Sequence, residues 1–95
     1  MFLGAYRFTG DPADLVPAYD RLSASFDPSV YELHVCVVGE DGIVVFDACP
    51  SEEIFRAFST SAEFHGACSA AGLPEPTIEP LGTVYEAILK QPVLR

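Results

Sequence analysis

His34, Cys36, Asp47 and Cys49 are the residues whose types and spacing could do chemistry in this chain. They belong to two runs of alternating polarity that flank Gly39-Glu40-Asp41-Gly42, and Asp-Gly between such runs is a strong hairpin signal. In a hairpin every second residue shares a face. Tyr31, Leu33, Val35, Val37, Val44, Phe46 and Ala48 then make one wholly apolar face. Val38, Ile43 and Val45 share the other with Glu32, His34, Cys36, Asp47 and Cys49. If Val38 and Ile43 close the turn, His34 opposes Asp47 and Cys36 opposes Val45. If Glu40 and Ile43 close a two-residue turn, Cys36 opposes Asp47 and His34 sits opposite Cys49, diagonal to Asp47. Both registers keep the cluster on one face, and only a bulge would flip it.

A histidine beside a carboxylate in partly apolar surroundings can be a general base. The carboxylate fixes the imidazole tautomer and stabilises the cation formed when a proton is taken. His34 and Asp47 are therefore the catalytic candidates, and a substrate with an acidic C–H or phenolic O–H would suit them. The plainer role is a cross-strand pair that only satisfies polar groups near a sheet edge. Cys36 and Cys49 offer metal-ligand atoms, but no zinc spacing accompanies them and small buried cysteines are common, so no metal is expected. A thiolate nucleophile needs a positive neighbour, and Asp47 works against it.

The elements that must position this cluster can be read on either side of it. Phe2–Phe8 is an apolar, aromatic run that suits a strand. Asp11-Pro12-Ala13-Asp14 opens a helix, with Asp11 as N-cap and Pro12 at the first helical position. Leu15, Tyr19, Leu22 and Phe26 form its buried stripe, and Asp27-Pro28 stops it. After the hairpin, Ser51 caps a second helical region whose apolar positions are Ile54, Phe55, Phe58, Ala62 and Phe64. Ser59-Thr60-Ser61 could divide that region, because small hydroxyl residues compete for local backbone bonds. Gly72 and Leu73-Pro74 end it. Thr77–Leu89 reads as a last strand whose beginning Pro80 confines to an edge, a bulge or a non-strand approach.

Strand, helix, strand, strand, helix, strand is the ferredoxin-like pattern, an α+β fold with two helices on one face of a four-stranded antiparallel sheet. The uniform hairpin face is expected under the helices. The mixed face, with its apolar residues, would then need a partner sheet, and two sheets face to face enclose a cavity. Parity puts Phe2, Tyr6 and Phe8 under the helices and Arg7 on the cavity side. The same logic places Glu86 on the cavity side and Leu81, Tyr85 and Leu89 in the core. Arg7 could hold a substrate carboxylate or phenolate, or simply pair with Glu86 across the strands. His65 and Cys68, three apart on the second helical region, fit a packed core position, and His65 could also roof a pocket. Arg7, Glu32, Cys36, Cys49, His65 and Glu86 are the candidate substrate-binding residues.

Bulk composition narrows the class. Ninety-five residues suit one domain, 1–95, with a modest core, and 49% hydrophobic against 20% charged residues describes a globular chain. Five basic residues, Arg7, Arg21, Arg56, Lys90 and Arg95, oppose fourteen carboxylates for a net charge of −9. Such scattered cations argue against binding nucleic acid or an anionic membrane. Three cysteines without CxxC spacing suit a reducing compartment, and neither a basic leader nor a membrane-length apolar run is present, so a cytoplasmic location is expected.

The stretch Val44-Val45-Phe46-Asp47-Ala48-Cys49-Pro50-Ser51-Glu52-Glu53-Ile54-Phe55-Arg56-Ala57-Phe58, continued by Ser59–Phe64 and ending with Gly72-Leu73-Pro74 through Val84-Tyr85, resembles the dimeric α+β barrel superfamily. The likeness is to its antibiotic-biosynthesis-monooxygenase-like branch. It implies a ferredoxin-like subunit, a homodimer and a pocket between sheet and helices. Members of the family include cofactor-independent oxygenases, lactone isomerases, dehydratases, haem-degrading enzymes and proteins with no known activity. The chain has no Trp and no Asn, so the Asn–Trp set of the monooxygenases and the Asn–His–Trp set of the haem-degrading branch cannot be mapped onto it. The resemblance therefore implies a small apolar or aromatic ligand, with no cofactor, and either cofactor-independent catalysis or a non-catalytic binding role.

Overall fold

A computed structural model describes residues 1–90 of the chain. The elements run β1 (Phe2–Thr9), α1 (Pro12–Ser23), a 3-10 turn (Pro28–Val30), β2 (Leu33–Val38), β3 (Gly42–Cys49), α2 (Glu52–Ser59), α3 (Ala62–Ala71) and β4 (Thr77–Thr83). They form an α+β fold with a four-stranded antiparallel sheet in the order β2-β3-β1-β4, compatible with a ferredoxin-like fold. One departure is the helix count, since among the described residues three α-helices replace the two expected.

The extra helix follows from Ser59-Thr60-Ser61. The Thr60 and Ser61 hydroxyls donate to the Arg56 and Phe58 carbonyls at 2.7 Å, which ends α2. Ser61 Oγ then accepts from the Phe64 N–H at 3.2 Å and caps α3. Asp11 and Ser51 cap α1 and α2 in the same manner. At the far end of α3, Gly72 takes a left-handed φ of 92°, which lets Leu73 N–H reach back to Cys68 O.

The first strand decides which side of the hairpin is covered. Phe2, Tyr6 and Phe8 of β1 pack against Leu15 and Tyr19 of α1, Phe55 of α2 and Phe64 and Cys68 of α3. Tyr6 pairs with Val45 and Phe8 with Ile43, so the mixed face of the hairpin lies under the helices. This reverses the expectation for the hairpin while keeping that for β1. Leu33, Val35, Val37, Val44 and Phe46 instead line the uncovered face, where Val35 is 41% and Val37 46% exposed. Both hairpin faces carry enough apolar residues to meet helices, and the aromatic alternation of β1 settles the choice.

The hairpin adopts the first of the two registers, with Val38 opposite Ile43. Gly42 closes it at φ 152°, and a Cβ there would overlap the Phe8 carbonyl oxygen. Tyr31 departs from the expected strand, since β2 begins at Leu33 and Tyr31 follows the 3-10 turn. β4 also ends early. Pro80 sits on this edge strand beside a register shift between Leu3 and Gly4, as its missing N–H allows. After Thr83 the chain leaves the sheet, and Leu81, Tyr85 and Leu89, expected in the core, are all exposed.

Candidate functional site

Pairing of β2 with β3 sets His34 opposite Asp47, beneath α1. His34 Nδ1 bonds to Asp47 Oδ1, and His34 Nε2 lies 2.5 Å from the Tyr19 hydroxyl. With Nδ1–H donating a hydrogen bond to the carboxylate, Nε2 accepts one from the Tyr19 hydroxyl, and a neutral imidazole satisfies both contacts. The result is a chain of hydrogen bonds from Tyr19 through His34 to Asp47. Tyr31 closes over the imidazole, with ring centroids 4.4 Å apart. His34 and Asp47 side chains keep 23% and 16% of their surface exposed, so the pair is partly sheltered from water.

Two cavities meet at this chain. The smaller, of about 30 Å³, touches Tyr19, His34 and Asp47 and has room for about one water molecule. The larger, of about 320 Å³, falls at the lower end of the size that ligand sites occupy. Tyr6, Phe26, Tyr31, Phe55 and Phe58 give it aromatic walls, and Val30, Pro50 and Ile54 lie at its exposed side. Among the described residues, Asp47 is its sole charged wall residue, and it is common to both cavities. The walls are tied together: Phe55 lies 5.5 Å from Phe2 and 5.8 Å from Tyr6, and Phe58 lies 6.1 Å from Phe26 and 4.9 Å from Phe64. Gly4 makes this possible, because a Cβ there would overlap the Phe55 ring.

Burial, and then the charge of Asp47, push the Tyr6 phenol well above its ordinary range and hold Tyr31 at about 12. Burial likewise raises the Cys49 thiol, which donates to Ser51 O at 3.2 Å. The environment therefore keeps both phenols and this thiol protonated, which suits hydrogen-bond donation rather than nucleophilic attack. Among the described residues, no group of three or more His, Cys, Asp or Glu could hold a metal ion.

Of the other residues singled out in the sequence, only Cys49 lies on the wall of the larger cavity. Cys36 opposes Val45 and packs at the margin of the core, and Glu32 is exposed just before β2. Arg7 is on the uncovered face, as expected, but pairs with Glu79 at 3.1 Å and not with Glu86, which is exposed beyond β4. His65 is bonded away from the cavities, through Nε2 to Ser59 O at 2.8 Å and Nδ1 to Glu75 at 2.5 Å. Sequence reasoning missed Tyr19, read only as a stripe residue, and Tyr31, assigned to the opposite face. A signal for Tyr19 existed. A tyrosine in a buried helical stripe needs a partner for its hydroxyl, and His34 is a polar residue of the face beneath.

Among the described residues, no helix is long and apolar enough to cross a membrane. Comparison with known proteins gave no matching family model, no matching curated protein and no matching solved structure.

Proposed function

We propose that this chain is a ferredoxin-like subunit of a homodimeric α+β barrel, similar to the antibiotic-biosynthesis-monooxygenase-like proteins, that binds a small apolar or aromatic molecule and moves a proton on it without a cofactor. One observation carries this reading: Asp47 belongs both to the wall of the aromatic cavity and to the hydrogen-bond chain with His34 and Tyr19. Both ring nitrogens of His34 are engaged inside the protein, so Asp47 rather than His34 is the group that meets the ligand. Its carboxylate takes the proton of an acidic C–H or O–H, and the electron pair stays on the substrate as an enolate or phenolate. Return of the proton at another atom completes an isomerisation. His34 and Tyr19 are positioning residues that hold the carboxylate's orientation and share its charge.

The uncovered sheet face supports the dimer, because Leu33, Val35, Val37, Val44 and Phe46 form an apolar patch that a second copy would bury. All three cysteines are free, in keeping with a reducing, cytoplasmic setting. A second reading, a non-catalytic binding module with the same cavity, is favoured by the internal engagement of both His34 nitrogens.

Native mass spectrometry of gently purified protein tests the ligand and the dimer together. A dimer with extra mass is expected, and the released molecule then serves as substrate for an assay of its C–H exchange with deuterated solvent. Asp47→Asn should abolish exchange while the molecule still binds. Binding without exchange in the wild type would leave the binding module as the correct reading.

A further inference from the structure

We propose that the larger cavity is a site for an organic cation, an aryl- or alkylammonium whose nitrogen sits against Asp47 and whose apolar body packs among the aromatic walls. This rests on the reading of the cavity as a ligand site and specifies the charge of the ligand that Asp47 would meet there.

Charge is the first support. Among the described residues, Asp47 supplies the sole formal charge on the cavity wall, and its Oδ2 lies outside the bond that Oδ1 makes with His34. Among the described residues, no lysine or arginine stands there to receive an anion. Arg7 pairs with Glu79, Arg56 with Glu52, and Arg21 donates to the Ala71 carbonyl at 3.0 Å. Lys90 is exposed beyond β4, and Arg95 lies outside the described residues. A carboxylate or phosphate in this cavity would face Asp47 with no lysine or arginine among the described residues to offset the repulsion.

Ring geometry is the second. Tyr6, Phe26, Tyr31, Phe55 and Phe58 all border one space of about 320 Å³. The negative faces of aromatic rings attract a cation, most strongly where water is excluded, and such walls beside a carboxylate are a known solution for binding ammonium groups. Burial is the larger cause of the raised Tyr6 and Tyr31 phenols, and the charge of Asp47 adds to it from the same wall. A net charge of −9 would also favour the approach of cations over anions.

Titration calorimetry with phenethylamine, phenethyl alcohol and phenylacetate separates the alternatives, because the probes are similar in size and differ in charge. Phenethylamine should bind at least about tenfold more tightly than phenylacetate, and salt should weaken only the amine. Asp47→Asn should reduce amine affinity by roughly tenfold and leave the alcohol within about twofold. Equal or tighter binding of phenylacetate overturns the proposal, and this comparison uses wild-type protein alone, so it survives a variant that fails to fold. Tightest binding of the alcohol, insensitive to Asp47→Asn, would keep the ligand site and reject the ammonium assignment. Failure of all three probes to bind would remove both.

Discussion

The tyrosines around Asp47 give the site a measurable signature at the scale of single residues. Burial and the neighbouring carboxylate raise Tyr31 from 10.0 to about 12 and Tyr6 further still. The folded state therefore holds these phenolic protons more tightly than the unfolded chain. For Tyr31 the contribution to stability is complete below pH 10 and is lost as pH rises through the folded value near 12, and for Tyr6 the loss extends higher. Spectrophotometric titration should show late tyrosinate transitions for Tyr6 and Tyr31 in the wild type. In Asp47→Asn the Tyr31 transition should come earlier, since one of its two main causes is gone. A Tyr31 transition that stays put would mean that the charge of Asp47 does not contribute to it. Cys68, buried and raised to about 11, should resist thiol reagents at neutral pH until the protein unfolds.

At the scale of elements, Gly4 and Ser61 are the positions where one substitution has a defined structural effect. Any side chain at Gly4 displaces Phe55, the ring that joins α2 to β1 and walls the cavity. Gly4→Val should destabilise by about 1–3 kcal/mol in denaturant unfolding, through forced repacking, and should abolish ligand retention. Ser61→Ala removes the cap of α3 and should cost about 1 kcal/mol with the cavity unchanged. Comparable ligand loss in both variants would point to general destabilisation rather than to the ring. The contrast between the two also shows what the sequence can reveal. Caps and the helix break are local, so Ser51, Gly72 and the division at Ser59–Ser61 were legible, while the hairpin register was narrowed to two and the Val38–Ile43 closure is the one adopted. The covered face of the hairpin was not, because strand alternation defines two faces without saying which one the helices choose. That choice came from the pairing of Tyr6 with Val45, a contact between distant parts of the chain. Tyr19 escaped for a related reason: periodicity places its ring inside, while the destination of its hydroxyl depends on how α1 lies over β2.

For the whole molecule, the uncovered sheet face is the feature with the clearest consequence. Val35 and Val37 stand open to water beside Phe46 and Val44, around the Arg7–Glu79 pair. If two copies close over this face, Val35→Glu should convert the dimer to a monomer in analytical ultracentrifugation while circular dichroism stays the same. Wild-type protein that sediments as a monomer at high concentration would refute the barrel, although the cavity under the helices would stand, since it is built within one chain.

Strands β2 and β3 carry two messages in alternate letters. One set of residues, His34 and Asp47 among them, addresses the helices, and the other, Val35 and Phe46 among them, addresses the outside. Their alternation works as a reading frame. Substitutions edit a single letter of one message. Loss of one residue from the middle of β3 would instead shift every letter beyond it, turning Asp47 out to the open face and bringing an apolar neighbour under α1. Changes of length should therefore be confined to the turn at Gly39–Gly42, and the two faces of this hairpin must vary together in length while remaining free to vary in chemistry.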